Sequence, residues 1–467
     1  MLKLKLPPDP VLDAGGIDGF ATAFRAGELT SEQTTRDYLT RIQALDKQLG
    51  AFEYIAVEEA IAAARAVDQL RAGGTDLGPL MGLPITVKDL FTVDGMPMTA
   101  GSRIDISDIA DPKEGPFIQA LWRAGCVILG KTRMVEFAFG ITGVSTPRGT
   151  PWNPCDPSTH RLPGGSSSGA GVAVAAGLCA LAIGTDTGGS VRVPAALCGV
   201  FGLKTTFGLW PMQGAFPLAP ELDSIGLLAR SARDAVTAYA EITGILHGER
   251  GAALPSMELS RLRFGKPTDY FFGDLSPEVE NAMATATARL QSAGVAFDEV
   301  VVPQARERER YFPVSMPVAL LTTLGAERFE ANKHLMDPVI ARRTAAGLQT
   351  LAIDHLALEA RRRVAIREVD ALFSGYDAWV SPTTTSVAPA VAELEDPESG
   401  HQQALSMTRN TQPANYLGLC AATIPLPREA GKLPVGYQIM ASAGSDARLL
   451  AIAILMEELF AASDEMP

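Results

Sequence analysis

The stretch from Pro163 to Thr206, PGGSSSGAGVAVAAGLCALAIGTDTGGSVRVPAALCGVFGLKTT, constrains this chain more than any other. Its opening, Gly164-Gly165-Ser166-Ser167-Ser168-Gly169, has the composition of a flexible linker. The residues after it argue against one. The serines run straight into Gly169 to Ala182, an Ala/Val/Leu-rich segment that reads as a helix buried on nearly all sides. Serines pinned against a buried helix are not free to move. A second Gly-Gly-Ser, Gly188-Gly189-Ser190, comes later in the same run. The question is therefore which of these serines does chemistry.

Length and charge bound the answer. The 467 residues are 47% hydrophobic, enough for a large core, and fit one large α/β domain over 1–467. Residues 250–350 hold most of the charge-rich helical sequence and are the expected helical insertion or subdomain. The net charge of −13 argues against a phosphate backbone as partner, so no nucleic acid is expected. The run Arg361-Arg362-Arg363 sits among Glu359, Arg367 and Glu368 and reads as a solvated helix face. Five cysteines, at 126, 155, 179, 198 and 420, form no CxxC pair and suit a reducing cytoplasm. The N-terminal MLKLKLPPDPVLDAGG has no secretory h-region. The uncharged stretch Leu162 to Thr185 is dense in Gly, Ser and Ala, so it reads as core and no membrane contact is expected.

Periodicity supplies the elements. Thr30 with Gln33 forms a capping-box signature before LTSEQTTRDYLTRIQALD, where Leu39, Ile42 and Leu45 recur at helical spacing. Further helices are expected from Val57 to Ala72, from Ser276-Pro277 to Gly294, from Asp354 to Phe373 and from Arg448 to Phe460. Short β-rich runs fall at Leu83 to Val87, Cys126 to Leu129, Val295 to Val302 and Tyr376 to Val380. Strands alternating with helices predict an α/β fold with a central sheet.

Three motifs compete for the chemistry. Gly125-Cys126-Val127-Ile128-Leu129-Gly130-Lys131-Thr132 matches the P-loop pattern, but the residues between its glycines are a strand rather than a loop of amides. Gly165-Ser166-Ser167-Ser168-Gly169 matches a nucleophile elbow with Ser167 as nucleophile, as in an α/β-hydrolase-like esterase. No strand precedes it, His160 stands upstream, and His247, His334, His355 and His401 carry no accompanying signature. The third reading joins Lys88 in GLPITVKD, Ser166 and Ser190. A serine needs an adjacent base. Burial behind the apolar run Leu83 to Val87 would favour a neutral lysine able to serve as one. Gly188 and Gly189 let a substrate carbonyl approach main-chain N–H groups, so Thr187, Gly188, Gly189 and Ser190 can form an oxyanion hole.

These residues, with Glu136 to Gly143 (EFAFGITG) and Leu433-Pro434-Val435-Gly436, closely resemble the amidase signature family over nearly the whole chain. The resemblance implies the amidase signature fold, a central mixed β-sheet flanked by helices on both faces. It implies Ser190 as nucleophile, Ser166 as a bridging serine after a cis bond from Gly165, and Lys88 as base. It implies the oxyanion hole at 187–190 and supporting roles for Ser167, Asp186 and Arg192, the last two structural. No metal or cofactor is implied. Thr205 stands where the family commonly has proline, and GLWPMQGAFPLAPELDS (Gly208 to Ser224) is unusual in aromatic and proline content. The triad is untouched by this; the pocket is where such a chain would differ.

The expected function is hydrolysis of amide-type C–N bonds in small aryl or aliphatic amides, with carbamate (urethane), urea-type and ester bonds open to the same acyl chemistry. The alternative is the amidase subunit of a tRNA-dependent amidotransferase. Met134, Phe137, Phe139, Trp210, Phe216 and Tyr416 are the candidate pocket liners, each with plain core packing as an equal alternative, and a monomer or homodimer is expected.

Overall fold

The computed structural model describes residues 8–248, 254–394 and 397–462, with the side chains of 397–401 left out. The first seven residues of the N-terminal stretch, residues 250–253 of the expected insertion and the His401 side chain thus lie outside the described part. Eleven strands form one mixed sheet: β1 (Phe52–Ile55), β2 (Pro84–Lys88), β3 (Val127–Thr132), β4 (Leu181–Asp186), β5 (Phe201–Lys204), β6 (Ser224–Ala229), β7 (Arg263–Lys266), β8 (Ala296–Glu299), β9 (Ala378–Pro382), β10 (Cys420–Pro425) and β11 (Gly436–Ala441). Their spatial order is β1-β3-β2-β4-β6-β5-β10-β11-β9-β7-β8. β2 runs parallel to both β3 and β4, and β7 parallel to both β8 and β9; the remaining pairs are antiparallel.

Burial follows from position in the sheet. Every residue of β2, β4, β5, β6 and β11 is buried. Successive strand residues point to opposite faces, so both faces must be covered. Helices flank the sheet, including Val57–Ala72, Ala232–His247 and Asp446–Ala461.

The periodic helices form as their patterns predict. Thr30 Oγ1 accepts from Gln33 N at 3.2 Å and caps Ser31–Leu49. The segment Gly169 to Ala182 departs from expectation. Its helix is Ser168–Ala175, and the chain then enters β4 at Leu181. An apolar run carries no period that separates a buried helix from a buried strand, so two elements read as one. The 250–350 stretch contributes β7 and β8 to the sheet edge as well as helices. The arginine run is also corrected in part. Arg362 is buried, its Nε donating to the Tyr416 carbonyl at 3.0 Å, while Arg361 pairs with Glu307 and Glu368.

β3 settles the P-loop match. It runs from Val127 through Gly130 to Thr132, so no phosphate-cradling loop exists there. Lys131 is buried at 3.3 Å from Asp89 and donates to the Phe91 carbonyl. Among the described residues no helix is long and apolar enough to cross a membrane.

Candidate active site

Lys88 closes β2, a strand held between two parallel neighbours. β4 therefore delivers Thr185 alongside it, and the loop before Ser168–Ala175 delivers Ser166. Lys88 Nζ lies 2.7 Å from Ser166 Oγ and 2.9 Å from Thr185 Oγ1, all three buried. Burial lowers the Lys88 ammonium to about 7, against an opposing pull from Asp223 and Asp186. Lys88 thus loses its proton in the neutral range.

The serine loop is rigidly packed. The Gly165–Ser166 peptide is cis. A Cβ on Gly165 would stand 2.8 Å from Val135 Cγ2 and 2.9 Å from the Gly143 nitrogen, so backbone approaches here that no other residue permits. The Ser166 carbonyl accepts from Val135 N at 3.0 Å. Ser167 N donates to the Ser190 carbonyl at 3.2 Å, tying the two glycine-serine loops together. Ser167 Oγ in turn donates to the Thr185 carbonyl at 3.3 Å.

The elbow reading is corrected on these grounds. No strand leads into Gly165, and no described histidine attends Ser167. His160 stacks on Trp152, His247 faces the Leu209 carbonyl, His355 faces Ser315, and His334 is exposed.

The turn after β4 is organised by an ion pair. Asp186 and Arg192 are fully buried and 2.9 Å apart. Burial alone would raise the Asp186 carboxyl, but the Arg192 guanidinium holds it well below the usual carboxylate range. Asp186 also accepts from Gly189 N at 2.8 Å and Val191 N at 3.1 Å, while Arg192 reaches Asn415, Gln438 and the Thr411 carbonyl. Of the four amides expected to face an oxyanion, that of Gly189 is thus already engaged by Asp186.

Thr187 Oγ1 donates to Asp223 Oδ1 at 2.6 Å. Burial pushes Asp223 up to about 6, though Thr187 and the Leu218 and Ala219 amides hydrogen-bond its carboxylate.

Ser190, Gly188 and Thr187 line a cavity of about 850 Å³. Its apolar wall includes Val135, Phe139, Ile141, Phe312 and Met316, and Arg308 and Arg343 also face it. Of the six liners offered from sequence, only Phe139 is there. Trp210 packs on Phe117 and Tyr239, Phe137 on Phe216, Tyr416 on Tyr311, and Met134 is in the core. Sequence reasoning missed Thr185, Asp223, Phe312 and Gln412. Thr185 stood inside the GTDTGGS run and was findable; Phe312 and Gln412 reach the site only through tertiary packing.

The chain is similar to known proteins over most of its length. The family model described as Amidase matches residues 33–450. The 2-amino-5-chloromuconic acid deaminase of Comamonas testosteroni is 36% identical over 94% of this chain and 95% of its own. A glutamyl-tRNA(Gln) amidotransferase subunit of Chloroflexus aggregans is 34% identical over 92% of this chain and 93% of its own. A crystal structure of an amidase superposes with a TM-score of 0.86 at 31% identity, over 95% of this chain and all of that one. The peptide amidase of Stenotrophomonas maltophilia gives 0.77 at 27% identity, over 97% and 98%.

Proposed function

The chain belongs to the amidase family of hydrolases acting on carbon–nitrogen bonds, and from that premise we propose that it cleaves a small amide through an acyl-enzyme on Ser190. Neutral Lys88 accepts the proton of Ser166, which accepts that of Ser190. Ser190 Oγ attacks the carbonyl carbon, and the oxyanion is met by amides of the 187–190 turn other than that of Gly189, which Asp186 holds. As the tetrahedral carbon collapses, the C–N bond breaks and the amine leaves with a proton returned through Ser166. Water then repeats the relay, adding hydroxide to the acyl carbon and freeing Ser190 and the acid. Asp186 and Arg192 hold the turn in shape, and Ser167 ties the two loops together.

The observation that carries this reading is the buried contact of 2.7 Å between Lys88 Nζ and Ser166 Oγ, beside a cavity that Ser190 lines. Carbamate, urea-type and ester bonds lie within reach of the same chemistry. The test is labelling with a fluorophosphonate and mapping of the modified peptide. Label on Ser190, lost in Ser190→Ala together with turnover, is the expected result; label on another serine overturns the assignment.

A second reading is favoured by the amidotransferase relatives, 30% to 34% identical over most of their length: that this chain supplies ammonia within a tRNA-dependent complex. Amide hydrolysis by the purified chain alone, unaffected by other components of such a complex, excludes that reading.

A further inference from the structure

Arg308 is buried, at 7% exposure, in the wall of the cavity that holds Ser190. Its neighbours are neutral. Nε donates to the Tyr270 hydroxyl at 2.7 Å, and Nη1 to Gln412 Oε1 at 2.8 Å and Thr408 Oγ1 at 3.4 Å. Nη2 makes no hydrogen bond among the described residues, and no described carboxylate lies within ion-pair distance of the group. A buried guanidinium without a counter-ion is costly, since removal from water is offset only by a paired charge. The position aggravates the cost. Arg308 is the first residue of the helix Arg308–Leu324, where the helix dipole disfavours a cation.

The rest of the cavity does not neutralise it. Arg342 and Arg343 also line the wall, and Arg343 lies over the Phe139 ring with no ion pair among the described residues. The acids there are Asp337 and Glu309. Asp337 spends both oxygens on the amides of Val339, Ile340 and Thr146. Glu309 is exposed and reaches Arg308 only through the Tyr270 hydroxyl. A chain with a net charge of −13 thus keeps a cationic cavity. Arg308 also stands close to the reacting turn. Its partner Gln412 and Phe312, one helical turn beyond it, would meet a Cβ on Gly188 at 3.2 and 3.1 Å.

We propose that the substrate is an amide whose acyl part carries a carboxylate, a monoamide of a dicarboxylic acid, and that Arg308 anchors that carboxylate beside the Ser190 turn. This rests on the assignment of Ser190 as nucleophile. The carboxylate completes the unfilled side of the guanidinium in a charge-assisted pair. The bond cleaved is the distal amide, so the products are a dicarboxylate and an amine or ammonia.

The test compares succinamic and glutaramic acids with the neutral diamides of the same chain length. Wild-type enzyme is expected to favour the carboxylated member by about tenfold to a hundredfold in kcat/KM. Arg308→Gln should collapse that ratio, chiefly through KM, and Arg308→Lys should restore part of it. A measurement on wild-type protein alone guards against misfolded variants: glutarate should slow fluorophosphonate labelling of Ser190 and glutaramide should not. A wild-type ratio near one, or equal protection by both compounds, overturns the proposal. If Ser190 is labelled while diamides are preferred, only this proposal fails; if label falls elsewhere, the assignment of Ser190 fails with it.

Discussion

Lys88 Nζ has Ser166 Oγ at 2.7 Å and Thr185 Oγ1 at 2.9 Å, and no described carboxylate pairs with it. In a neutral amine, a hydrogen donated to Thr185 leaves the lone pair free to accept from Ser166. Burial sets the proton affinity near 7. The base is active when deprotonated, so kcat/KM should fall as pH drops through about 7. Thr185→Val should keep KM and lower kcat, because the amine loses the group that orients it. An acid limb well below pH 6, taken from initial rates between pH 5 and 9, would show that Lys88 is not the base.

The same burial has a consequence for stability. An unfolded lysine titrates near 10.5, and the folded one near 7. Between those values the unfolded chain binds the extra proton, so stability rises with pH there, by about 1.4 kcal/mol per unit at most. Below pH 7 the full cost of holding the charge in the folded state remains. Lys88→Met removes it. The variant should therefore gain most over wild type at pH 6 and progressively less toward pH 10, as read by urea unfolding across that range. A gain independent of pH would mean that Lys88 is not held at a lowered proton affinity.

Much of this site is written in local sequence. The glycines at 165 and 188–189, the serines between and after them, and the strand that ends at Lys88 each announce themselves by residue type and spacing. Two things do not. The apolar run after Ser168 has no period to mark where helix gives way to β4, because both are buried on every side. The cavity wall opposite Ser190 comes from the helix Arg308–Leu324 and from Gln412, more than a hundred residues downstream. Neither carries a local signal, whereas Val135, Phe139 and Ile141 line the cavity from within or beside the EFAFG motif. Trp210 and Tyr416 take the core alternative, which is where most large apolar side chains go.

Asp186 and Arg192 form a buried pair that also anchors the Gly189 and Val191 amides. Taking away one partner leaves the other charge uncompensated, at a cost of about 3–5 kcal/mol. Arg192→Met should thus unfold several degrees lower and should lose activity even where it remains folded, since the turn loses its tie to Asn415 and Gln438. Calorimetry with kcat measured well below the transition checks both. An unchanged melting temperature would remove the structural role given to the pair.

Gly188 lies against Phe312 and Gln412 with no room to spare. A Cβ there would meet Phe312 Cε1 at 3.1 Å and Gln412 Cγ at 3.2 Å, closer than ordinary van der Waals contact. The carbonyl of Gly188 accepts from Thr411 Oγ1 at 2.9 Å, so the turn is held from that side as well and cannot simply rotate away. Gly188→Ala must push the Phe312 ring, the Gln412 side chain or the turn itself by a few tenths of an ångström. Oxyanion donors act only within a few tenths of an ångström, and loss of one costs about 3–4 kcal/mol of transition-state stabilisation. The substitution should therefore reduce kcat by on the order of a hundredfold. Phe312→Leu, which withdraws the ring edge, should recover part of the loss when combined with it. No recovery in the double variant, measured by kcat on one amide, would place the defect in the turn itself rather than in its contact with the helix.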